Sequence, residues 1–332
     1  FQLEELNHQA QLTYRMYKAD LEKDIYNYEN WRHYYYPVNQ MFGSHTWFPT
    51  FLMNVHTIDS KLDALAWLSR LSQLNTKIDE VIVDLDKAKA KGVVAPKFVY
   101  PKVINDCQNL LTGAPFDNNG INPLIADFTK DIESLEFNSE EDKQVLIDSA
   151  NLLMLSVFKP SYEKLITYLT EMETIATEEA GVWKFENGDK FYTDRLKFTT
   201  TTNYTPQEAF DIGMSEIERI HAEMELIKEK VNFEGSLHEF FEHVKVKPEL
   251  YFPNSDEGRE AYLAANIKIK EAMEARLDEL FITKPKAELE VRRVEPFREK
   301  SAGIAFYNSA APDGSRPGYY YVNLYDMKAM PK

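Results

Sequence analysis

The amino-acid sequence predicts a mainly α-helical protein with a small antiparallel β-sheet near its C-terminal end. Two observations lead to this fold class. Apolar residues recur at steps of three and four, the period of one helix face, along much of residues 1–285. After Pro285 the pattern changes to short runs rich in β-branched and aromatic residues, which are typical of strands. No repeat or low-complexity linker interrupts the sequence, so we expect a single domain over residues 1–332, helical at 1–285 and with a sheet or hairpin at 286–326.

A long apolar pattern in the first third of the chain predicts one amphipathic helix. Leucine, isoleucine and valine repeat at helical spacing from Leu62 to Leu85, and the helix is expected to end near Gly92. Pro96 opens the next helical stretch, which runs towards residue 111. Cys107, the one cysteine of the sequence, lies in this stretch. No internal disulfide can therefore form, and a buried structural thiol is the favoured interpretation.

Three later helices are predicted from their start signals and apolar spacing. Ser139 precedes three acidic residues, which suit the positive end of a helix, and Pro160 should kink or split the helix that follows. Thr205 is followed by a proline in the first turn and by Glu208 at the capping-box position, so another helix should begin there. The last helix is predicted over residues 255–281.

Three short segments after Pro285 predict strands, at residues 289–294, 303–308 and 319–324. The sequence Pro-Asp-Gly at 312–314 lies between the last two segments and is a strong turn signal. We therefore expect the chain to reverse there and the last two strands to pair as a hairpin.

The charge of the chain argues against a nucleic-acid-binding function. The formal net charge is −16 and the sequence pI is about 5.0, whereas binding to phosphates requires basic patches. An acidic surface also repels anionic membranes. No apolar run approaches the roughly 20 residues of a membrane span, so the sequence predicts no transmembrane segment.

No catalytic motif or metal-ligand pattern is complete in this sequence. Of the seven histidines, only His238 and His243 lie close together. They are five residues apart, which places them about 140° around a helix, whereas the zinc motif His-Glu-x-x-His needs a separation of four. An ordinary capped helix after Ser236 is the favoured interpretation. Neither a phosphate-binding glycine loop nor a Gly-x-Ser-x-Gly elbow is present.

An aromatic cluster at residues 31–36 leaves two interpretations open. Trp31 and the three consecutive tyrosines of this segment could line a ligand cleft. Packing in a core or an interface is favoured, because aromatic side chains bury large areas.

Several segments together resemble a known family. They are residues 92–96, 191–202, 205–208 with Gly213, Gly235 with 239–241, and 313–324. In this order and spacing they resemble the bacterial domain-of-unknown-function 885 family, over roughly residues 40–332. That family in turn resembles helical zinc peptidases of the gluzincin type. The resemblance therefore implies a zinc-peptidase-like, gluzincin-type architecture.

The resemblance also implies that the zinc site lies outside this chain. In the family, a segment like Arg-Pro-Gly-Tyr-Tyr-Tyr-Val-Asn at 316–323 is followed by a helix with His-Glu-x-x-Gly-His-His or a close relative. This sequence ends at Lys332, before such a helix. We therefore expect a domain incomplete at its C-terminus, zinc in the complete protein, and neither metal ligands nor catalytic residues in this chain.

The function implied is the non-catalytic helical part and substrate-side hairpin of a zinc-dependent metallopeptidase-like hydrolase acting on peptides. Residues 303–309 or 319–324 would bind an extended peptide by strand addition. Tyr307, Arg316, Tyr320 and Asn323 are the expected substrate-binding residues, with Arg316 and Tyr320 facing the cleft. For Arg316 and Asn323 the alternative is that they satisfy only the hairpin and loop backbone.

A different class of function is also open, namely a helical binding or scaffold protein whose peptidase site has decayed. The expected partners are a peptide substrate and the C-terminal remainder of the same protein, with no nucleic acid. The family resemblance implies export, to the periplasm or to a lipid anchor, and a cytoplasmic location is the alternative.

Overall fold

The computed structural model describes residues 2–41, 43–136, 139–296, 298–300 and 302–332. The chain divides into two compact units, Phe1–Gly213 and Met214–Lys332. The prediction of one domain over the whole chain stays a prediction. Helices make up most of the first unit and of the chain as a whole, which confirms the mainly α-helical class.

The first unit is built from helices that follow one another through short connections. They are α1 (His8–Trp31), α2 (Ser44–Asn54), α3 (Lys61–Ser72), α4 (Leu74–Ala90), α5 (Val99–Asn109), α6 (Pro123–Ser134), α7 (Glu140–Leu153), α8 (Lys159–Ile175) and α9 (Gly188–Thr200). Helix α10 (Pro206–Lys230) crosses the division between the two units.

Helices α3 and α4 replace the single long helix that the apolar pattern predicts over residues 62–85. Gln73 lies between them with φ −103° and ψ 8°, outside the helical region, and its N–H donates to the carbonyls of Arg70 and Leu71. Leu71 and Leu74 are both buried on either side of this break. The apolar stripe therefore continues across a break of one residue, which is why periodicity alone does not detect it.

The predicted helix starts are confirmed. The Ser139 side chain accepts a hydrogen bond from the N–H of Asp142 at 3.2 Å, and Thr205 makes the equivalent bond with the N–H of Glu208. A π-helical turn, Met154–Phe158, separates α7 from α8, and Pro160 lies in the first turn of α8. The helix expected to be kinked or split at Pro160 is thus split one turn earlier.

The core of the first unit is aromatic and aliphatic. Trp67 of α3 stacks on Phe128 of α6 with ring centroids 4.3 Å apart, and both rings are almost fully buried. Cys107 is fully buried, as predicted, and burial raises the pKa of its thiol. Trp31 packs edge-on against Tyr34 and Phe191 at 4.9 and 5.3 Å, so the aromatic segment at 31–36 contributes to packing.

The second unit combines helices with a small sheet. Its further elements are α11 (Leu237–Lys245), α12 (Asp256–Glu274), β1 (Leu289–Arg293), β2 (Ala305–Asn308) and β3 (Gly318–Val322). All three predicted strands are therefore present. Among the described residues they form one sheet in the order β1-β3-β2.

The sheet is mixed, so the prediction of an antiparallel sheet is wrong for one of its two strand pairs. β2 and β3 pair antiparallel, which confirms the hairpin, but β1 pairs parallel with β3. Strand β3 is buried except at Tyr320, whereas β2 alternates between exposed and half-buried positions. The most apolar strand thus occupies the centre, and β1 and β2 take the two edges.

Successive side chains of β3 point to opposite faces of the sheet. On one face, Val322 packs with Leu324, Met327 and Met330 against residues that include Tyr262 and Leu263 of α12. On the other face, Tyr319 and Tyr321 pack with Val294 and Phe306. In the part of the chain that the structure describes, no helix is long and apolar enough to cross a membrane.

Candidate functional site

The turn between β2 and β3 forms as its sequence predicts. Gly314 has a φ of +82°, and its N–H donates to the carbonyl of Ala311 at 2.9 Å. The Asp313 carboxylate accepts from the N–H and the hydroxyl of Ser315 at 3.0 and 2.7 Å. These bonds lower the pKa of Asp313. The turn is therefore stabilised by its own side chains and returns the chain to pair with β2.

Two of the predicted site residues, Tyr307 and Tyr320, lie side by side. They are directly opposite each other in the β2–β3 register, and Tyr320 is in turn opposite Val291 of β1. Tyr307 is 55% exposed and Tyr320 is 36% exposed. A Cβ atom at Gly318 would lie 2.5 Å from the Tyr307 hydroxyl, so the glycine allows the ring to lie across β3.

The two tyrosines line a cavity of about 790 Å³ within the second unit. Its floor is the sheet face that carries Leu289 and Val291, and one wall is α12, with Ile269 and Met273. The remaining lining is Asn266, Lys270, Glu274, Leu277, Lys284, Pro285, Lys286, Ala287, Glu288 and Ala310. The cavity therefore lies over the same face of the sheet as Tyr307 and Tyr320.

The cavity lining is largely apolar, and two of its three lysines are in ion pairs. Lys270 lies 3.3 Å from Glu274 and donates to the carbonyl of Leu289 at 3.2 Å. Lys284 lies 2.8 Å from Asp278. These pairs leave little uncompensated charge for an ionic ligand at either position.

Strand β2 presents an edge to solvent beside this cavity. The N–H of Asn323 donates to the carbonyl of Ile304 at 2.8 Å. Hydrogen-bonded and non-hydrogen-bonded pairs alternate along an antiparallel ladder, so the main-chain groups of Ala305 and Tyr307 point away from β3. Within the described ranges no strand pairs with this side of β2. It is therefore available for strand addition.

Arg316 and Asn323, the other predicted site residues, lie apart from the cavity lining. The Arg316 guanidinium donates to the carbonyl of Ser309 at 2.9 Å and lies 5.8 Å from the ring of Tyr319. Asn323 Nδ2 donates to the carbonyls of Glu299 and Ala302, the latter at 3.1 Å. These bonds agree with the alternative in which the two side chains satisfy the hairpin and loop backbone. A substrate-binding role for them stays a prediction.

Comparison with known proteins gives the family. A profile of the family described as "Bacterial protein of unknown function (DUF885)" matches residues 1–332. The chain belongs to the DUF885 family. This confirms the resemblance seen in the sequence and extends it over the whole chain.

The chain is also similar to a solved structure. It is described as the crystal structure of the "putative lipoprotein from Colwellia psychrerythraea", with 26% sequence identity and a TM-score of 0.79. The match covers 90% of the present chain and 50% of the Colwellia chain, so the DUF885 chain spans about half the length of that relative. No curated protein matches the chain.

The described residues of this DUF885 chain do not fit a zinc site. They contain no group of three or more histidine, cysteine, aspartate or glutamate side chains that could hold a metal ion. His238 and His243 are exposed on α11, and the Glu239 carboxylate accepts from the N–H and hydroxyl of Ser236 at 2.7 and 2.8 Å. The predicted capped helix is therefore confirmed, and Glu239 closes its capping box.

Sequence reasoning did not identify the α12 wall of the cavity. Ile269 and Met273 are 59% and 63% exposed although both are apolar. Their spacing of four residues puts them on one face of α12. That spacing is visible in the sequence, but it does not say that this face lies over β1 and β3.

Proposed function

We propose that this chain forms the substrate-binding side of a zinc-dependent metallopeptidase-like hydrolase acting on peptides, with a gluzincin-type architecture. The observation that carries the proposal is the open edge of β2 beside an apolar cavity. An extended peptide can add to such an edge through main-chain hydrogen bonds, while pockets next to the edge select its side chains. Ala305 and Tyr307 supply the main-chain groups, and Tyr307 and Tyr320 supply side chains at the cavity.

Zinc is proposed as the cofactor of the complete protein, with its ligands outside residues 1–332. Support comes from the family resemblance and from the greater length of the Colwellia relative. The residues of this chain contribute peptide binding and not metal coordination. The C-terminal remainder of the protein is thus a proposed partner, alongside the peptide substrate.

Replacing Ala305 with proline tests the proposed strand addition. Proline removes the N–H that points away from β3 and leaves the ladder bonds of β2 in place. We expect Ala305→Pro to weaken binding of an end-blocked extended peptide roughly threefold to tenfold, the scale of one lost hydrogen bond, as measured by isothermal titration calorimetry. Ala305→Gly, which keeps the N–H, is the control. Equal affinity for the proline variant and the native chain would rule out pairing at this edge.

The catalytic part of the proposal is tested in the complete protein. Tyr320→Phe and Arg316→Ala should reduce peptide hydrolysis tenfold to a thousandfold, on the order of a few kcal/mol of lost transition-state contacts. Unfolding measurements on the same variants separate this effect from loss of stability. Full activity of both variants would show that the hairpin has only a structural role. Peptide binding without hydrolysis in a complete, zinc-loaded protein would support the binding or scaffold function instead.

We also propose that the protein is exported, to the periplasm or to a lipid anchor. The description of the Colwellia relative as a lipoprotein supports this location. Fractionation of cells that express the complete reading frame tests it, because an exported protein leaves with the periplasmic or membrane fraction. Recovery in the cytoplasmic fraction alone would contradict the proposal.

A further inference from the structure

The cavity beside β2 has the size and lining of a binding pocket. Its volume of about 790 Å³ falls within the range of ligand pockets, roughly 300–1,000 Å³. Ile269 and Met273 of α12 expose more than half of their surface, and the sheet adds Leu289 and Val291. Burying such apolar surface against a ligand is favourable because it removes the surface from water.

The charged groups of the cavity disfavour an ionic occupant. Lys270 is paired with Glu274 at 3.3 Å, and Lys284 is paired with Asp278 at 2.8 Å. The two other charged residues of the lining, Lys286 and Glu288, have opposite signs. A charged ligand group would lose its hydration on entering, and at Lys270 and Lys284 it would have to compete with the carboxylates already paired there. An uncharged, apolar group loses little hydration on entering and does not compete with these ion pairs.

The geometry of strand pairing brings a peptide side chain to this cavity. A residue that pairs with Tyr307 on the open edge of β2 carries its side chain on the same face of the sheet as Tyr307 and Tyr320. That face is the floor of the cavity. The neighbouring peptide residues point to the opposite face. Of the four residues of β2 only Tyr307 lines the cavity, so the peptide residue opposite Tyr307 is the one that lies next to it.

We propose that the cavity binds a bulky apolar side chain, aliphatic or aromatic, of the extended peptide that pairs with β2. The substrate class is therefore a peptide with leucine, methionine or phenylalanine at the position that faces Tyr307 and Tyr320. This inference rests on the proposed function, because it assigns the side-chain specificity of the same peptide site.

The test uses four end-blocked, fluorescein-labelled heptapeptides of alternating serine and threonine, with alanine, leucine, phenylalanine or aspartate at the centre. Fluorescence anisotropy measures their binding to the chain of residues 1–332. We expect the leucine and phenylalanine peptides to bind tighter than the alanine peptide, on the order of tenfold to a hundredfold, as expected for burial of a large apolar side chain. The aspartate peptide should bind no tighter than the alanine peptide.

Met273→Glu should abolish this preference, because it places a charge in the wall of the cavity. Met273 is 63% exposed, so the substitution should leave the fold intact. Met16→Glu is the matched control, since Met16 is 60% exposed on α1 and does not line the cavity. Met273→Leu should keep the preference.

The outcomes separate this inference from the function on which it rests. Equal binding of all four peptides, or an unchanged preference in Met273→Glu, overturns the inference and leaves strand addition at β2 intact. Failure of every peptide to bind overturns both. A preference for leucine and phenylalanine that Met273→Glu removes and Met16→Glu retains supports the inference.

Discussion

Arg316 and Asn323 both make side-chain hydrogen bonds to main-chain carbonyls. Both belong to the segment that carries the family resemblance. Arg316 donates to the carbonyl of Ser309 in its own loop, and Asn323 donates to the carbonyls of Glu299 and Ala302 in the loop before β2. The side-chain oxygen Oδ1 of Asn323 also accepts from the N–H of Tyr325 at 3.1 Å. Asn323 therefore ties the end of β3 to the connection between β1 and β2.

We expect Asn323→Ala to lower the free energy of unfolding by about 1–3 kcal/mol, because it leaves two loop carbonyls without their donor. Urea unfolding followed by circular dichroism measures the change. Asn308→Ala is the control, since the side chain of this β2 asparagine makes no hydrogen bond to the described residues, and its effect should be within about 0.5 kcal/mol. An unchanged stability of Asn323→Ala would mean that these bonds contribute nothing and would favour a substrate-binding role.

At the scale of elements, helix α6 carries two carboxylates at a spacing of four residues. Burial raises the pKa of Asp127 to about 6, with the nearby Asp131 adding to the shift and Lys130 opposing it. Burial also raises the pKa of Asp131. Like charges at this spacing destabilise a helix when both are ionised. The pair therefore lowers the stability of the first unit at neutral pH.

Asp127→Asn should stabilise the protein at pH 7 and have little effect at pH 4. The pKa of Asp127 in the folded state is about 6, above the ordinary value of 3.8. Between pH 3.8 and pH 6 the folded state therefore binds more protons than the unfolded state, so the free energy of unfolding falls as the pH rises towards 6. The gain in the free energy of unfolding at pH 7 should be about 1–2 kcal/mol. This is less than the energy equivalent of the whole pKa shift, because the carboxylate keeps some contact with solvent. Urea unfolding at both pH values measures it. Asp148→Asn, on the exposed face of α7, is the control. A loss of stability at pH 7 would contradict the prediction.

At the scale of the whole molecule, the dominant property is an excess of negative charge. The net charge of −16 is spread over a surface whose ion pairs are mostly exposed, such as Arg219–Glu216 and Lys164–Asp79. Exposed pairs of this kind each contribute little. Repulsion among the excess carboxylates should therefore outweigh the attraction within the pairs.

Raising the NaCl concentration from 10 to 200 mM at pH 7 should increase the melting temperature by roughly 1–4 °C, because salt screens this repulsion. Differential scanning calorimetry measures the shift. The same titration near pH 5.0, the sequence pI, is the control, and the increase should disappear there. A melting temperature that falls with salt at pH 7 would show that the exposed ion pairs dominate.

Much of the local structure follows from the sequence alone. The caps at Ser139, Thr205 and Ser236 and the turn at Gly314 form as predicted, because each depends on residues within four positions of one another. The three strands and the burial of Cys107 also follow from local pattern. The packing of the aromatic segment at 31–36 is predicted from the general tendency of aromatic side chains to be buried.

Only the tertiary structure decided which distant segments meet. The order β1-β3-β2 and the parallel pairing of β1 with β3 join segments that are not consecutive strands of the chain, and local pattern does not contain that choice of neighbours. The cavity between α12 and the sheet depends on the same choice of neighbours. That choice also decides that Tyr307 lines the cavity, whereas Asn323 donates hydrogen bonds to loop carbonyls. Sequence therefore determined the elements of this DUF885 chain, since hydrogen bonding and apolar spacing act over a few residues. The candidate site depends on packing between elements far apart in the chain, which only the folded structure specifies.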